Sequence, residues 1–402
     1  MSAPHTDTNA ASVPPEKQIR KVDFHLIPIP KNRRYNGTMK PEEQFVFSWR
    51  LNLVFATAAT VSVMNLYYIQ PMTVEIARYF NVTDDATSHI PTLAQAGYGC
   101  GIFFVSPLGD LIRRRELVLL LMTITTALSI GLALAKDIPM LEGISFLVGF
   151  FTVTPQICIP WTADLAPANI RAKAMSITLS GLIFGLVFGR VLAGIISNFA
   201  SWRDAYWLAV GLQGAMTGIL WLVLPDTPDK DIGLSYFQVL VSMVKFFYKY
   251  PTLVQAGATS FFTSAVFAGF WTTLTYLLSN PPYHYDSLDI GLFGLLGIIG
   301  ALLAPQWGRL VDRIAPWFGQ IIGVFICLVA MLVALGGASI NIGAVGPHEV
   351  GWIGWSGGSN VLREKMTDLS PEALTEGMRK KKADVEVKGG EKDAEVRAPT
   401  AG

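Results

Sequence analysis

Residues 92–115 read TLAQAGYGCGIFFVSPLGDLIRRR, an apolar run that closes with one aspartate and three arginines. About twenty apolar and small residues, at 1.5 Å per residue, are enough for a helix to cross ~30 Å of hydrocarbon. A short basic loop is translocated poorly, so the arginines mark the side that stays in the cytoplasm. The stretch therefore predicts both a membrane-spanning helix and its orientation.

The composition of the whole chain agrees with a membrane protein. Hydrophobic residues make up 51% of the 402 residues and charged residues only 15%, whereas about a quarter of a soluble domain is charged. The net charge of +1 argues against nucleic acid as a partner. The cysteines lie in apolar runs without metal-ligand spacing, and no phosphate loop or nucleophile motif occurs. We therefore expect no metal, no cofactor and no catalytic residues, which argues against an enzyme.

Nine apolar runs of spanning length follow one another. They cover residues 49–70, 90–111, 117–135, 139–163, 174–198, 204–224, 252–279, 288–308 and 317–337. Residues 1–44 are polar and basic, without the apolar core of a signal peptide, and predict a disordered cytoplasmic tail. The longest joint, 225–250, contains SYFQVLVSMVKFFYKY, which predicts an amphipathic interfacial helix. This joint separates a six-helix half at 45–224 from a partial, three-helix half at 251–340.

Basic residues are distributed unevenly between the two sides of this predicted topology. With the N-terminus in the cytoplasm, the cytoplasmic joints hold ten Lys and Arg residues and the external joints hold three. The cytoplasmic residues are Arg113, Arg114, Arg115, Arg171, Lys173, Lys230, Lys245, Lys249, Arg309 and Arg313, and the external ones are Arg78, Lys136 and Arg203. The asymmetry indicates a multi-pass protein with a cytoplasmic N-terminus, for which we expect the plasma membrane.

The second and eighth apolar runs end alike. One ends SPLGDLIRRR at 106–115 and the other PQWGRLVDR at 305–313. In each, a small residue stands four positions before an aspartate, and arginine follows. The recurrence of this motif six helices apart indicates an internal repeat.

The repeat resembles the signature Gly-x-x-x-Asp-(Arg/Lys)-x-Gly-(Arg/Lys)-(Arg/Lys) of the major facilitator superfamily, with Ser106 and Arg113 in the glycine positions of the first copy. The segments NLYYIQP, ADLAP and SWRDAYWL are similar to those of its drug and sugar efflux branch. The resemblance covers about residues 50–340 and implies an all-α, polytopic membrane helix bundle. It also implies alternating-access transport of a small organic solute, of the efflux type, with protons as a candidate coupling ion. The alternative is a truncated membrane isoform or scaffold that transports nothing.

The superfamily has twelve spans, and the sequence predicts only nine. The segment EVGWIGWSGG at 349–358 is too short to cross a bilayer, since a span needs about twenty residues. The rest of 341–402 is charged and poor in aromatic residues, which predicts a disordered polar tail. Its basic run at 379–382 is typical of a cytoplasmic end, whereas nine spans would leave it outside. We therefore expect a chain that lacks the last three transmembrane helices, with a second half too incomplete to close the cavity.

The resemblance implies a gating role for the two repeated joints. In the family, this loop pairs with neighbouring helix ends and latches the two halves. The residues concerned are Asp110, Arg114, Arg115, Asp164, Gly308, Asp312 and Arg313. The alternative is that these charges only fix orientation and form exposed ion pairs worth about 0–1 kcal/mol.

Arg190 lies deep inside the apolar run SGLIFGLVFGRVLAGII. An arginine near the bilayer centre costs ~2.5–3.5 kcal/mol on insertion scales, so it normally faces a cavity or a partner; snorkelling is the alternative. In the same run Gly181, Gly185 and Gly189 form a ridge at i, i+4 and i+8, which allows close helix approach. The ridge resembles the antiporter motif of the family's fifth helix, with Arg190 in the proline position. Ordinary tight packing explains the glycines equally.

The remaining candidates are polar or aromatic residues inside apolar runs. They are Asn65, Tyr68, Gln70, Gln95, Gln156, Trp271 and Tyr276. With Arg190, they predict a central cavity for an amphipathic organic solute in the bilayer. Helix packing and an interfacial belt of aromatic residues explain the same pattern.

Overall fold

The computed structural model describes residues 47–167, 169–227, 235–280 and 283–295, together with Pro30 and six isolated positions between 321 and 332. Every regular element within the continuous ranges is a helix. Both predicted tails, apart from Pro30, lie outside the described residues. So do most of the eighth and ninth predicted runs and the second repeated joint with Gly308, Asp312 and Arg313.

Twelve helices are described. They are α1 (Trp49–Tyr67), α2 (Ile69–Phe80), α3 (Asp84–Phe104), α4 (Leu108–Leu111), α5 (Arg114–Ala133), α6 (Ile138–Phe151), α7 (Thr154–Leu165), α8 (Arg171–Phe199), α9 (Trp202–Val223), α10 (Tyr236–Lys249), α11 (Pro251–Ser279) and α12 (Ser287–Phe293). Six helices or joined pairs in the described part are long and apolar enough to cross a membrane: Trp49–Phe80, Arg114–Ala133, Ile138–Leu165, Lys173–Phe199, Trp202–Val223 and Leu253–Ser279. The chain is a multi-pass, all-α membrane protein.

The first span runs ten residues further than the prediction of 49–70, because α1 and α2 together form a 32-residue stretch that ends at Phe80. Pro71 is the third residue of α2. At that position its missing N–H costs no intrahelical hydrogen bond, so the helix continues through it. The motif NLYYIQP consequently lies inside the span and not at its end. Gln70, ten residues before Phe80, is about 15 Å from that end.

The stretch 92–115 is not one helix, and the prediction of a span over 90–111 was wrong at both ends. Helix α3 begins at Asp84, after a cap in which the Thr83 hydroxyl accepts from the Ala86 N–H. It ends at Phe104, because Pro107 has no N–H with which to extend the helical hydrogen bonds. The short α4 and a break at Arg113 follow, and Arg114 begins the next helix.

Two groups of buried apolar side chains hold the amino-terminal half together. One includes Phe55, Trp161 and Leu220, and the other includes Met72 and Trp202. Between them, α1 packs against α8, α3 against α6, and α9 against α5. A smaller group on α11 and α12 includes Trp271 and Ile290. This packing fixes the side chains of α8 relative to α1 and α2.

Candidate functional site

The glycine ridge of α8 brings its backbone into contact with α1. A Cβ atom added to Gly181 would lie 2.2 Å from the Ala56 carbonyl oxygen, and one added to Gly185 would lie 2.4 Å from that of Thr60. At Gly189 the corresponding distance, to Met64, is 3.0 Å. The Thr60 hydroxyl donates to the Gly181 carbonyl over 2.8 Å, directly across the seam. Only residues without a side chain permit so close an approach.

This seam places Arg190 beside Gln70 near the middle of the membrane-spanning region. Arg190 precedes the end of α8 at Phe199 by nine residues, or about 14 Å, which is close to half of a ~30 Å hydrocarbon core. Gln70 lies at the same depth in α2. The Arg190 Nε donates to Gln70 Oε1 over 2.7 Å, and the arginine is only 2% exposed. The Arg190 guanidinium therefore lies among side chains inside the protein and does not extend towards a helix end.

Three aromatic rings surround the Arg190 guanidinium. Its central carbon lies 3.6 Å from the ring centroid of Trp271, 4.9 Å from that of Tyr67 and 5.7 Å from that of Phe267. A desolvated cation–π contact contributes about 2 kcal/mol. Trp271 and Phe267 belong to α11, whereas Arg190, Tyr67 and Gln70 belong to the amino-terminal half. The arginine therefore lies at the junction of the two halves.

Two further contacts join the halves on the side of Arg190 that the sequence predicts to be external. A Cβ atom on Gly194 of α8 would lie 2.5 Å from the Ser287 carbonyl oxygen and 2.9 Å from the Cα of Gly291. The Tyr276 hydroxyl lies 3.4 Å from the Thr87 hydroxyl. Predicted site residue Tyr276 thus contacts the other half near the membrane edge and not at the depth of Arg190.

Gln95 and Gln156 each lie beside a tyrosine hydroxyl. Gln95 on α3 lies near the hydroxyl of Tyr67, one of the three rings around the guanidinium. Gln156 on α7 donates to the Tyr98 hydroxyl over 2.8 Å. Both glutamines are partly exposed, unlike Arg190. Tyr98 lies near Tyr67, and Tyr67 contacts Arg190, so both amides are connected to the arginine through their tyrosines.

Asn65 and Tyr68 point elsewhere, into the interior of the amino-terminal half. Gln213, which is fully buried on α9, donates to the Asn65 side-chain oxygen and also to the Ser129 hydroxyl at 3.2 Å. Tyr68 is 1% exposed and packs in the apolar group around Met72. Sequence reasoning missed Gln213, although a glutamine inside the apolar sixth run was the available signal.

At the predicted cytoplasmic end, Arg114 connects three elements. Its two terminal nitrogens donate to Asp110 over 2.8 Å and to Asp164 over 2.6 Å, and its Nε donates to the Gly109 carbonyl over 2.9 Å. Arg114 is buried, while the side chains of Asp110 and Asp164 are 51% and 39% exposed. The guanidinium thereby ties the α4 turn to the end of α7.

The neighbouring arginines bind at the end of α9. Arg115 donates to the carbonyl oxygens of Trp221 and Leu224, which a helix end leaves without intrahelical partners. Arg113 lies 3.2 Å from Asp226, whose side chain is 2% exposed. Sequence reasoning missed Asp226, because no spacing rule relates positions so far apart. These contacts, like those of Arg114, lie within the amino-terminal half.

Comparison with known proteins identifies what the chain is similar to. The sequence profile of the Major Facilitator Superfamily matches residues 55–362. The "Uncharacterized transporter YgaY" of Escherichia coli O157:H7 is 32% identical over 282 residues, which is 70% of this chain and 71% of that protein.

Two solved structures share the fold at low sequence identity. A bacterial homologue of the human lysosomal transporter Spinster, in an inward-facing and unoccupied conformation, superposes with a TM-score of 0.62 at 15% identity, covering 81% of this chain and 76% of that one. A D-xylose-proton symporter gives a TM-score of 0.62 at 16% identity, covering 81% of this chain and 83% of that one.

Proposed function

Because this chain belongs to the Major Facilitator Superfamily, we propose that it is a secondary transporter that moves a small organic solute by alternating access of its two halves. The family consists of transporters and not of enzymes, and the relatives and structural neighbours carry transporter names. In this mechanism the solute binds where the halves meet, near the bilayer midplane, and each side opens in turn.

The observation that carries the proposal is the environment of Arg190. A buried cation about 14 Å from the end of α8 is costly in hydrocarbon and marks a functional site by default. Its contacts come from both halves, through Gln70 on one side and Trp271 on the other. We assign Arg190, Gln70 and Trp271 to the solute site, with Gln95 and Gln156 on its wall.

Other predicted residues take supporting roles in the proposal. Asn65 and Tyr68 stabilise the first span on its side facing the interior of the amino-terminal half. Asn65 does so through Gln213, and Tyr68 through the apolar core. Tyr276 closes the external end against Thr87. The ridge glycines hold α8 against α1, so that Arg190 keeps its position while the halves move.

We assign the gate at the opposite end to the charged cluster around Arg114. Arg114 binds Asp110 and Asp164, and Arg115 binds the end of α9, so the ends of α4, α5, α7 and α9 form one connected cluster. We propose that this cluster contacts the second half when the cytoplasmic end closes. In the second half, the repeated joint carries Gly308, Asp312 and Arg313.

The direction of transport, the coupling ion and the membrane in which the protein lies are also proposals. The excess of basic residues on one side supports a cytoplasmic N-terminus. The similarity of NLYYIQP, ADLAP and SWRDAYWL to the drug and sugar efflux branch supports export of the solute, and we propose the plasma membrane as the site. For proton coupling the candidate is Glu75 on α2, a partly buried carboxylate near the backbone N–H of Trp202 and the Ser197 side chain. Its Oε2 is buried without a hydrogen-bond partner among the described residues.

Transport is tested by counterflow in proteoliposomes that contain the full chain. The panel comprises labelled neutral, cationic and anionic organic solutes, and the variants are Arg190→Gln and Arg203→Gln. Arg203 is a matched control because it also stacks on aromatic rings, 4.2 Å from Trp202 and 4.6 Å from Tyr79, but lies at the start of α9. We expect saturable flux of at least one solute that Arg190→Gln abolishes and Arg203→Gln retains. Flux no greater than in empty liposomes for every solute would favour the non-transporting scaffold.

A further inference from the structure

We propose that helix α10, in the connection between the two halves, is a binding surface for anionic phospholipid of the cytoplasmic leaflet. This inference goes beyond the proposed transport function and does not depend on it. It follows from the faces of α10, from the contacts at its two ends, and from two lysines beside an exposed apolar surface.

The side chains of α10 divide into three faces. The first, here called the apolar stripe, recurs at i, i+4, i+7 and i+11, which places its members on one side of the helix. They are Phe237, Val241, Val244 and Tyr248, between 45% and 83% exposed. The second face, here called the polar stripe, has the same spacing one residue later. It consists of Gln238, Ser242, Lys245 and Lys249. The third face is partly buried and contains Val239, Phe246 and Tyr250.

Contacts at both ends hold α10 along the predicted cytoplasmic end of the bundle. At its start, the Tyr236 hydroxyl donates to the Phe104 carbonyl oxygen of α3 over 2.7 Å. That oxygen is left free at the helix end, because the Leu108 N–H donates to Val105 instead. Near its other end, the Phe247 ring packs on α11, where a Cβ atom added to Gly257 would lie 3.3 Å away. Helix α10 therefore bridges the ends of two other helices.

This position puts the apolar stripe at the membrane boundary. Helix α10 ends at Lys249, and the apolar stretch of α11 that is long enough to cross a membrane begins at Leu253. A helix of 14 residues is about 21 Å long, and both of its ends lie beside ends of other helices. Large apolar side chains that are exposed at this level are stabilised by insertion between acyl chains, as in amphipathic helices that lie in the interface.

The polar stripe determines which lipid fits. Its charged residues are Lys245 and Lys249, and among the described residues neither forms an ion pair. Both are exposed beside the apolar stripe, so their ammonium groups reach the headgroup level while the neighbouring side chains enter the acyl region. A basic residue near an anionic membrane surface contributes about a fivefold increase in affinity. The surface therefore favours a phospholipid with a net negative headgroup over a zwitterionic one.

The lipid contact is tested with the full chain in nanodiscs, with bimane attached to a single cysteine in a background free of other cysteines. Val241→Cys places the label on the apolar stripe, and Ser242→Cys places a matched control on the polar stripe. Lipids with brominated acyl chains should quench the label at 241 more than the label at 242, and iodide in the water should show the reverse order. Equal quenching by brominated lipid at the two positions would refute the contact. A label at 241 that neither quencher reaches would indicate a protein partner or a second copy of this chain in its place.

The preference for anionic lipid is tested with brominated phosphatidylglycerol and brominated phosphatidylcholine, each at the same mole fraction in nanodiscs that carry the label at 241. We expect phosphatidylglycerol to associate at least about fivefold more strongly. The double variant Lys245→Gln/Lys249→Gln should bring this ratio close to one. Lys136→Gln, at an exposed lysine between α5 and α6, should leave it unchanged. Equal association of the two lipids, or a preference that the double variant keeps, would overturn the inference.

A second measurement needs no cysteine substitution and decides the question if the cysteine-free background does not fold. Electron paramagnetic resonance of spin-labelled phosphatidylglycerol and phosphatidylcholine gives the fraction of each lipid that the chain immobilises. The immobilised fraction of phosphatidylglycerol should fall in Lys245→Gln/Lys249→Gln and stay constant in Lys136→Gln. The same fraction in both variants would exclude α10 as the site of the preference.

Discussion

Substituting the ridge glycines with alanine should destabilise the protein in proportion to how closely α1 approaches. The added Cβ would lie 2.2 Å from a carbonyl oxygen at Gly181 and 2.4 Å at Gly185, so the two backbones must separate, whereas 3.0 Å at Gly189 requires little movement. Overpacking of this kind costs about 1–3 kcal/mol. Alanine also recovers about 1 kcal/mol of helix propensity in each case.

Gly214→Ala on α9 isolates the packing effect, since nothing lies within 4 Å of its added Cβ and only the propensity gain remains. Unfolding of the purified chain in mixed micelles, followed by circular dichroism, measures the differences. We expect the free energies of unfolding of Gly181→Ala and Gly185→Ala to be about 1–3 kcal/mol lower than that of Gly214→Ala. The value for Gly189→Ala should lie between these two levels. If all four variants have equal stability, the backbone contact between α1 and α8 is refuted.

Two further predictions concern charged groups. Arg114→Ala removes the link between the α4 turn and α7 and should lower the free energy of unfolding by about 1–3 kcal/mol. Asp110→Asn changes a half-exposed carboxylate and should lower the same free energy by only about 0–1 kcal/mol. The reverse order in thermal or chemical unfolding would contradict a central role for Arg114 in this cluster. Glu75→Gln should abolish the response of flux to an imposed pH gradient while leaving counterflow exchange intact, because exchange needs no net proton movement. An unchanged gradient response in proteoliposomes would exclude Glu75 as the coupling group.

The sequence predicted the fold class because its strongest signal, apolar runs of spanning length, is local. The family resemblance of 50–340 agrees with the profile match of 55–362. The ends of spans were less predictable. Pro71 looked like a helix end, yet three residues into α2 a proline is tolerated, while Pro107 does end its helix. The difference depends on where the helix begins, which composition does not show.

The site divides in the same way. Arg190 was predictable, because a lone cation inside an apolar run is costly wherever the chain folds. The aromatic rings around Arg190 were not predictable as its partners. Trp271 belongs to the other half of the chain, and only tertiary packing brings its ring within 3.6 Å of the guanidinium. Asn65 and Gln70 looked equivalent in NLYYIQP, but five residues along a helix point them towards Gln213 and Arg190 respectively.

Helix α8 carries two glycine contacts that must behave differently in alternating access. Gly181 and Gly185 contact α1 within one half and should persist in every state. Gly194 contacts Ser287 and Gly291 across the two halves, and that contact must separate when the predicted external end opens. A bulky residue at Gly194 should consequently favour the opened state without the loss of stability expected at Gly181.

The test is the reactivity of a cysteine at Thr87, which is fully buried beside Tyr276. In a background free of other cysteines, Gly194→Leu should accelerate labelling of Thr87→Cys by an impermeant thiol reagent. The matched control, Gly214→Leu, should leave the labelling rate unchanged, because α9 has open space at that position. Equal rates in both variants would mean that the contact of Gly194 with α12 does not hold the external end closed.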